Sequence, residues 1–130
     1  MTLEPGPMQV IRGAFSTLAE VLDDVAALGF WPTTYVSERM QELPLHWHDF
    51  DDVGYMLEGR TYLLNERSER IEIGPGDKLV LPRGAVHAEG DVLERTVWIV
   101  AIPMPANLLD VFSDLKDPAT SPGRTPELRS

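Results

Sequence analysis

Apolar residues change their spacing along the chain, and the change separates a helical segment from a strand-rich one. From Leu18 to Leu28 they recur every three or four positions, which is typical of one face of an α-helix. Thr17 and Glu20 have the spacing of a capping box, and Gly29 follows as a C-terminal stop. The pattern predicts a short amphipathic helix, which we expect to cover an open edge or end of the structure that follows.

Over residues 33–102 the pattern becomes one of short β-branched, aromatic and aliphatic runs, broken repeatedly by Gly, Pro, Asn and Asp. Closely spaced strands with tight turns indicate a sandwich or barrel, and no helical crossover for a parallel unit interrupts them. The chain is therefore predicted to be all-β. The predicted strands are 8–12, before the helix, and 35–40, 45–48, 52–57, 61–65, 70–73, 78–81 and 95–102 after it.

After Pro103 and Pro105 the sequence predicts a second short helix, because apolar residues from Leu108 to Leu115 have helical spacing and Pro118 ends the run. The rest of the chain is rich in Pro, Ser and Thr and has little to bury, so it is expected to be disordered. The predicted organisation is a strand and helix at 1–32, a barrel at 33–105, a helix at 106–117 and a disordered tail at 118–130.

Charge and composition narrow the classes of function. The formal net charge of −10 disfavours contact with phosphate backbones, so no nucleic-acid partner is expected. No stretch approaches the roughly 20 apolar residues that cross a bilayer, and the first residues lack a secretory signal pattern. A cytoplasmic location without membrane contact is therefore expected. The chain has no cysteine, so any metal must be held by nitrogen and oxygen atoms.

Two segments carry the candidate chemistry. In the first, His46 and His48 lie two residues apart, so they share one face of a strand while Trp47 points away. In the second, a tight bend at residues 82–84 redirects the chain and delivers His87. These are the only three histidines of the chain, and clustered ligands of this kind usually mark a metal or catalytic site.

The first segment resembles the first motif of the cupin superfamily, and of its small single-domain members in particular. That motif is His-x-His, three or four residues, an acid, six residues and a glycine. The matching residues here are His46, His48, Asp52 and Gly59. Two positions depart from the family pattern: Asp52 stands where Glu is usual, and Met40 stands where a glycine precedes the histidines.

The second segment is similar to the second cupin motif. That motif is a glycine, five residues, Pro-x-Gly, two residues, His, three residues and Asn. The matching residues here are Gly76, Pro82, Gly84 and His87, with Asp91 in place of Asn. Both motifs occur in the family's order, and the resemblance covers residues 35–102.

The resemblance implies a cupin double-stranded β-helix, or jelly-roll barrel, with one short helix before it and one after it. It also implies one divalent metal ion held by His46, His48, His87 and Asp52. Asp52 is favoured over its rival Asp51 because it shares the even parity of the first two histidines and sets the six-residue interval to the motif's glycine. Such a ligand set suits Fe, Mn, Ni, Co or Zn.

Cupins include dioxygenases, sugar isomerases and epimerases, decarboxylases, storage proteins and sensing domains, so the resemblance leaves the reaction open. We expect a metal-dependent enzyme of the dioxygenase type that holds a bidentate anionic small molecule beside oxygen. No catalytic acid or base is assigned. The alternatives are a non-catalytic small-molecule binding or sensing module, a sugar isomerase-like or epimerase-like cupin, and a metal-free oligomerisation unit.

The partners expected from the sequence are a small-molecule ligand or substrate and a second copy of the chain. The resemblance implies a homodimer, whose interface the strand before the helix and an outward Trp47 would form. Packing of Trp47 under a loop is the alternative. The pocket wall is expected to include some of Tyr35, Arg39, Tyr62 and Trp98.

Overall fold

A computed structural model describes residues 2–122, so residues 123–130 of the predicted tail lie outside the described residues. Within the described range the chain forms mostly β-strands, with short helices on either side. The elements are β1 (Gln9–Ile11), α1 (Leu18–Leu28), β2 (Trp31–Ser37), β3 (Asp52–Glu58), β4 (Thr61–Leu64), β5 (Arg70–Ile73), β6 (Lys78–Leu81), β7 (Ala88–Glu89), β8 (Thr96–Ile102) and α2 (Leu108–Phe112), followed by a 3-10 helix at Pro118–Thr120. The predicted all-β class with one helix on each side is confirmed.

Two antiparallel sheets face each other across the interior. The larger has the strand order β1-β6-β3-β8-β2, and the smaller has the order β5-β4-β7. Side chains alternate along β3, so its even-numbered residues point between the sheets. Met56 on this face is fully buried among Leu63, Ile73 and Leu79, which come from both sheets. This alternation fills one end of the interior with apolar side chains and leaves the other end for polar chemistry.

Helix α1 packs on the outer face of the larger sheet. Its buried residues Val21 and Val25 contact the odd-numbered residues Val53 and Tyr55 of β3, on the face opposite the interior. The expectation that the helix covers an edge or end of the barrel is therefore wrong. The helix covers this face because Val53 and Tyr55 make the outer side of a central strand apolar, and that side must be shielded from water. The predicted caps are present, with the Thr17 side chain accepting from the Glu20 amide at 3.2 Å.

The predicted strand at 45–48 is instead a run of isolated bridges. His46 pairs with His87, and Trp47 pairs with Lys116. The Trp47 indole nitrogen donates to the carbonyl oxygen of Asp117 at 2.9 Å, and only 8% of this residue is exposed. Trp47 therefore points away from the site as predicted, but the chain's own residues 116–120 cover it, so it does not supply an outward interface surface.

Gly59 ends β3 in a conformation that a larger residue would strain. Its φ is +83°, and a methyl group there would lie 2.4 Å from the carbonyl oxygen of Arg95. Gly29 is a matched control, because its φ is +73° but a methyl group there would meet nothing within 4 Å. Both alanine variants incur the left-handed backbone cost, and only Gly59→Ala adds overpacking, which costs about 1–3 kcal/mol. Urea unfolding should therefore show Gly59→Ala to be less stable than Gly29→Ala by roughly that amount, and equal losses would contradict this.

Candidate metal centre

The two sequence motifs lie side by side through one backbone pairing. The amide of His46 donates to the carbonyl of His87, and the amide of His87 donates to the carbonyl of His46, both at 2.9 Å. The bend at residues 82–84 delivers His87 as predicted, and the Gly84 amide ties this bend to the first motif by donating to the carbonyl of His48 at 3.0 Å. Each motif thus presents a pair of side chains two residues apart, His46-x-His48 from one and His87-x-Glu89 from the other.

These four side chains converge. One nitrogen from each histidine and one carboxylate oxygen of Glu89 all lie within 4.8 Å of one another. The histidines are buried, and Glu89 is partly exposed. Two atoms bound to one ion at about 2.1 Å each are at most about 4.2 Å apart, so small adjustments suffice to hold an ion. The cluster fits a cupin metal site.

Backbone carbonyls orient two of the imidazoles. Nδ1 of His46 donates to the carbonyl of Pro44 at 2.7 Å, and Nδ1 of His87 donates to the carbonyl of Ala85 at 2.9 Å. These bonds place a proton on Nδ1 and direct Nε2 into the cluster, which is the usual orientation of a metal-bound histidine. Each Nε2 lies 3.2 Å from an oxygen of Glu89.

Several buried polar atoms of the cluster lack a hydrogen-bond partner among residues 2–122. They are Nε2 of His46, Nδ1 of His48 and Oε2 of Glu89. The approach of His46 Nε2 to Glu89 Oε2 does not have hydrogen-bond geometry. Buried polar groups are almost always paired, so a concentration of unpaired nitrogen and oxygen atoms in one place needs an explanation. A metal ion among them provides one.

The electrostatics of the cluster also suit metal binding. Burial, together with His87 and His46, lowers the pKa of His48 to about 4, so this ring is neutral at pH 7. Burial acts to raise the pKa of Glu89, but the neighbouring His46 and His87 side chains and their charges hold that pKa well below its ordinary value. Burial acts to lower the pKa of His87, and Glu89 outweighs it and raises that pKa. An ionised carboxylate is ready to bind a cation, and binding would displace a proton from His87.

Asp52, which the cupin resemblance implies as the fourth ligand, is not in the group of converging atoms. Its side chain is buried, with 5% of the residue exposed, and it lines a neighbouring cavity. Burial raises its pKa to about 7. The rival Asp51 has a structural role, because its carboxylate accepts from the amides of Leu3 at 2.9 Å and Arg83 at 2.8 Å. The carboxylate that the structure brings to the histidines is that of Glu89, which the sequence reasoning missed.

A cavity of about 150 Å³ adjoins the cluster between the two sheets. Glu89 belongs to both the cluster and the cavity wall. Phe112 of α2 also lines the cavity, and its ring centre lies 5.2 Å from that of His48. The predicted wall residues that do line the cavity are Tyr35, Tyr62 and Trp98, whereas Arg39 is exposed and does not.

Comparison with known proteins supports the fold. No protein-family sequence model matches the chain, and no curated protein is similar to it in sequence. Among solved structures, a DUF861 family protein from Thermotoga maritima is 18% identical with a TM-score of 0.53, covering 73% of this chain and 98% of its own. A cupin-2 domain protein from Shewanella frigidimarina is 23% identical with a TM-score of 0.50, covering 58% of this chain and 72% of its own.

A DMSP lyase from Ruegeria pomeroyi is 22% identical with a TM-score of 0.50; the match covers 57% of this chain and 38% of the lyase. Together with the two facing antiparallel sheets, these likenesses define the chain as a protein of the cupin fold, the double-stranded β-helix. None of the helices among residues 2–122 is long and apolar enough to cross a membrane.

Proposed function

We propose that this chain is a metal-dependent cupin enzyme, which binds one divalent ion through His46, His48, His87 and Glu89 and acts on a small molecule in the adjoining cavity. The observation that carries the proposal is the set of buried, unpaired nitrogen and oxygen atoms that converge there. Imidazole and carboxylate ligands of this kind suit Fe, Mn, Ni, Co or Zn.

The residues around the cluster would hold its ligands rigid and dry. Phe50 stacks on His48 with ring centres 5.3 Å apart, and Phe112 stacks on Phe50 at 5.8 Å. These rings shield one side of the cluster from water, while the carbonyls of Pro44 and Ala85 hold the other two imidazoles. A bound divalent ion with positions left open by four protein ligands would supply Lewis-acid or redox chemistry beside the cavity.

The reaction we propose is of the dioxygenase type. Three neutral imidazoles and one carboxylate form a ligand set that suits Fe(II). A six-coordinate ion would leave two positions for the substrate and dioxygen. The mostly apolar cavity wall suits a small organic substrate and would exclude water from a reactive centre. A homodimer and a cytoplasmic location also remain proposals, and both rest on the resemblance and on the sequence pattern.

Oxygen consumption tests the proposed reaction. The protein is loaded with Fe(II) under anaerobic conditions and offered small enols, diketones, thiols and phenols, with Zn(II)-loaded protein as the redox-inactive control. We expect steady oxygen uptake with at least one substrate, in the Fe(II) form only. Ligand-induced thermal stabilisation without any product would instead support a binding or sensing module, and equal turnover in the Zn(II) form would favour an isomerase-like or lyase-like reaction.

A further inference from the structure

The charged groups of the cavity wall are all of one sign. Asp52 and Glu89 both line the cavity, and the rest of the wall is apolar, aromatic or hydroxyl-bearing, with no Lys, Arg or His among the described residues that line it. Phosphate and carboxylate groups are normally bound by arginine or lysine side chains or by backbone amides at helix ends. Away from the ion, therefore, the described wall of the cavity has no cationic side chain to neutralise an anionic group.

Asp52 is the carboxyl group that remains for a ligand. Both oxygens of Glu89 lie 3.2 Å from imidazole nitrogens, so this carboxylate faces the metal cluster. Asp52 is the first residue of β3 and points to the same side as Gly54, across which the Trp98 ring lies. A buried carboxyl group that faces an apolar cavity is costly unless a donor reaches it, and a ligand can bring that donor.

The cavity volume limits the size of the ligand. A dry apolar cavity of about 150 Å³ accommodates benzene, and this cavity has a volume of about 150 Å³. A ligand of roughly six to eight non-hydrogen atoms therefore fits, whereas a sugar phosphate carries charge that the wall does not neutralise.

We propose that the cavity binds a compact, largely apolar molecule that carries a hydroxyl or ammonium group, and that Asp52 determines this specificity by accepting a hydrogen bond from that group. The proposal rests on the proposed function in taking this cavity as the substrate site, and it replaces the anionic substrate expected from the sequence with an uncharged or cationic one.

Titration of metal-free protein with four compounds of seven or eight non-hydrogen atoms tests the specificity. The probes are benzyl alcohol, benzylamine, cyclopentanecarboxylate and pivalate, and binding is followed by chemical-shift changes in protein NMR spectra up to tens of millimolar. We expect benzylamine to bind about tenfold or more, and benzyl alcohol a few-fold, more tightly than the two anions, because a charge-assisted hydrogen bond to a buried acceptor is stronger than a neutral one. Preference for either anion, or no binding of any probe, would overturn the proposal.

Two variants distinguish the effect of the Asp52 carboxylate from the effect of removing a negative charge elsewhere. Asp52→Asn keeps the shape of the side chain and should lower benzylamine affinity about tenfold or more. Asp49→Asn removes the same charge from a half-exposed residue that pairs with Arg83 outside the cavity wall, and it should leave the affinity unchanged. Equal affinities of wild type and Asp52→Asn for benzylamine would refute the role of Asp52. If the variant does not fold, the order in which wild-type protein binds the four probes still tests the proposal.

Metal uptake, measured on the same protein after a divalent ion is added back, keeps the two proposals apart. Protein that ranks the four probes as expected but takes up no metal contradicts only the proposed function. Protein that binds one ion but does not discriminate among the probes contradicts only the specificity assigned to Asp52.

Discussion

Replacing His87 with alanine or Glu89 with glutamine should abolish near-stoichiometric metal binding, whereas Asp52→Asn should leave it in place. The reason is geometric, because His87 and Glu89 contribute atoms to the converging group and Asp52 does not. Loss of residues that only orient metal ligands typically costs 10–100-fold in affinity, so loss of a direct ligand should cost more than about 100-fold. Competition titration with a chromophoric chelator, together with elemental analysis of protein purified without a metal-affinity column, measures the effect.

The pair Glu89→Gln and Asp52→Asn forms the matched comparison, since both substitutions remove one carboxylate and keep the approximate side-chain shape. Asp49→Asn serves as a charge control at a half-exposed position. If Asp52→Asn loses the metal and Glu89→Gln retains it, the fourth ligand is Asp52, as the cupin motif implies. Unchanged metal content in every variant would reject the site altogether.

Much of the fold could be predicted because its signals are local. Helix α1 has the predicted limits, since the Thr17 cap and the Gly29 stop depend only on neighbouring residues. Strands β5 and β6 also have the predicted bounds, because turn residues flank short apolar runs at both ends of each. Caps and turns are determined within a few residues, so a single sequence is enough to place them.

Elements that depend on distant partners were predicted less well. Strand β2 begins at Trp31, four residues before the predicted start, because β8 pairs with it along its whole length, Pro32 included. Strand β7 has two residues and exists only through pairing with β4, so no periodicity reveals it. The expected strand around Trp47 is reduced to single bridges with His87 and Lys116. Pairing of this kind is a tertiary property that local propensity does not contain.

The candidate site, like the fold, could be predicted only in part. The three histidines could be located because two motifs give their spacing, and the structure brings all three together. Glu89 was missed because the family motif directs attention to the acid after His48, at Asp52. The signal was nevertheless present: Glu89 lies two residues after His87, as His48 lies two after His46, and strand parity puts each pair on one face. Asp52 begins β3 at the predicted position, and its side chain lines the cavity instead of joining the converging atoms.

Metal-free wild-type protein should lose stability relative to Asp52→Asn as the pH rises from about 4 to about 7. Burial raises the pKa of Asp52 from 3.8 to about 7, and the charged groups that act on it are His87, Glu89 and Asp51. Between those two pH values the unfolded chain ionises this carboxyl group while the folded protein still holds the proton, so folding is increasingly disfavoured. One pKa unit corresponds to 1.36 kcal/mol, so the full loss is about 4 kcal/mol and is complete above pH 7.

Urea unfolding of both proteins at pH 4 and pH 8, with a chelator present, measures this difference. Relative to wild type, the free energy of unfolding of Asp52→Asn should rise by about 4 kcal/mol between pH 4 and pH 8. The neighbouring charged groups are the same in both proteins, so the comparison reports Asp52 together with its coupling to them. Asp49→Asn should follow wild type, since its carboxylate is half exposed. A constant gap between wild type and Asp52→Asn would mean that Asp52 is ionised throughout in the folded protein, and hence that a cation or an internal donor already reaches it.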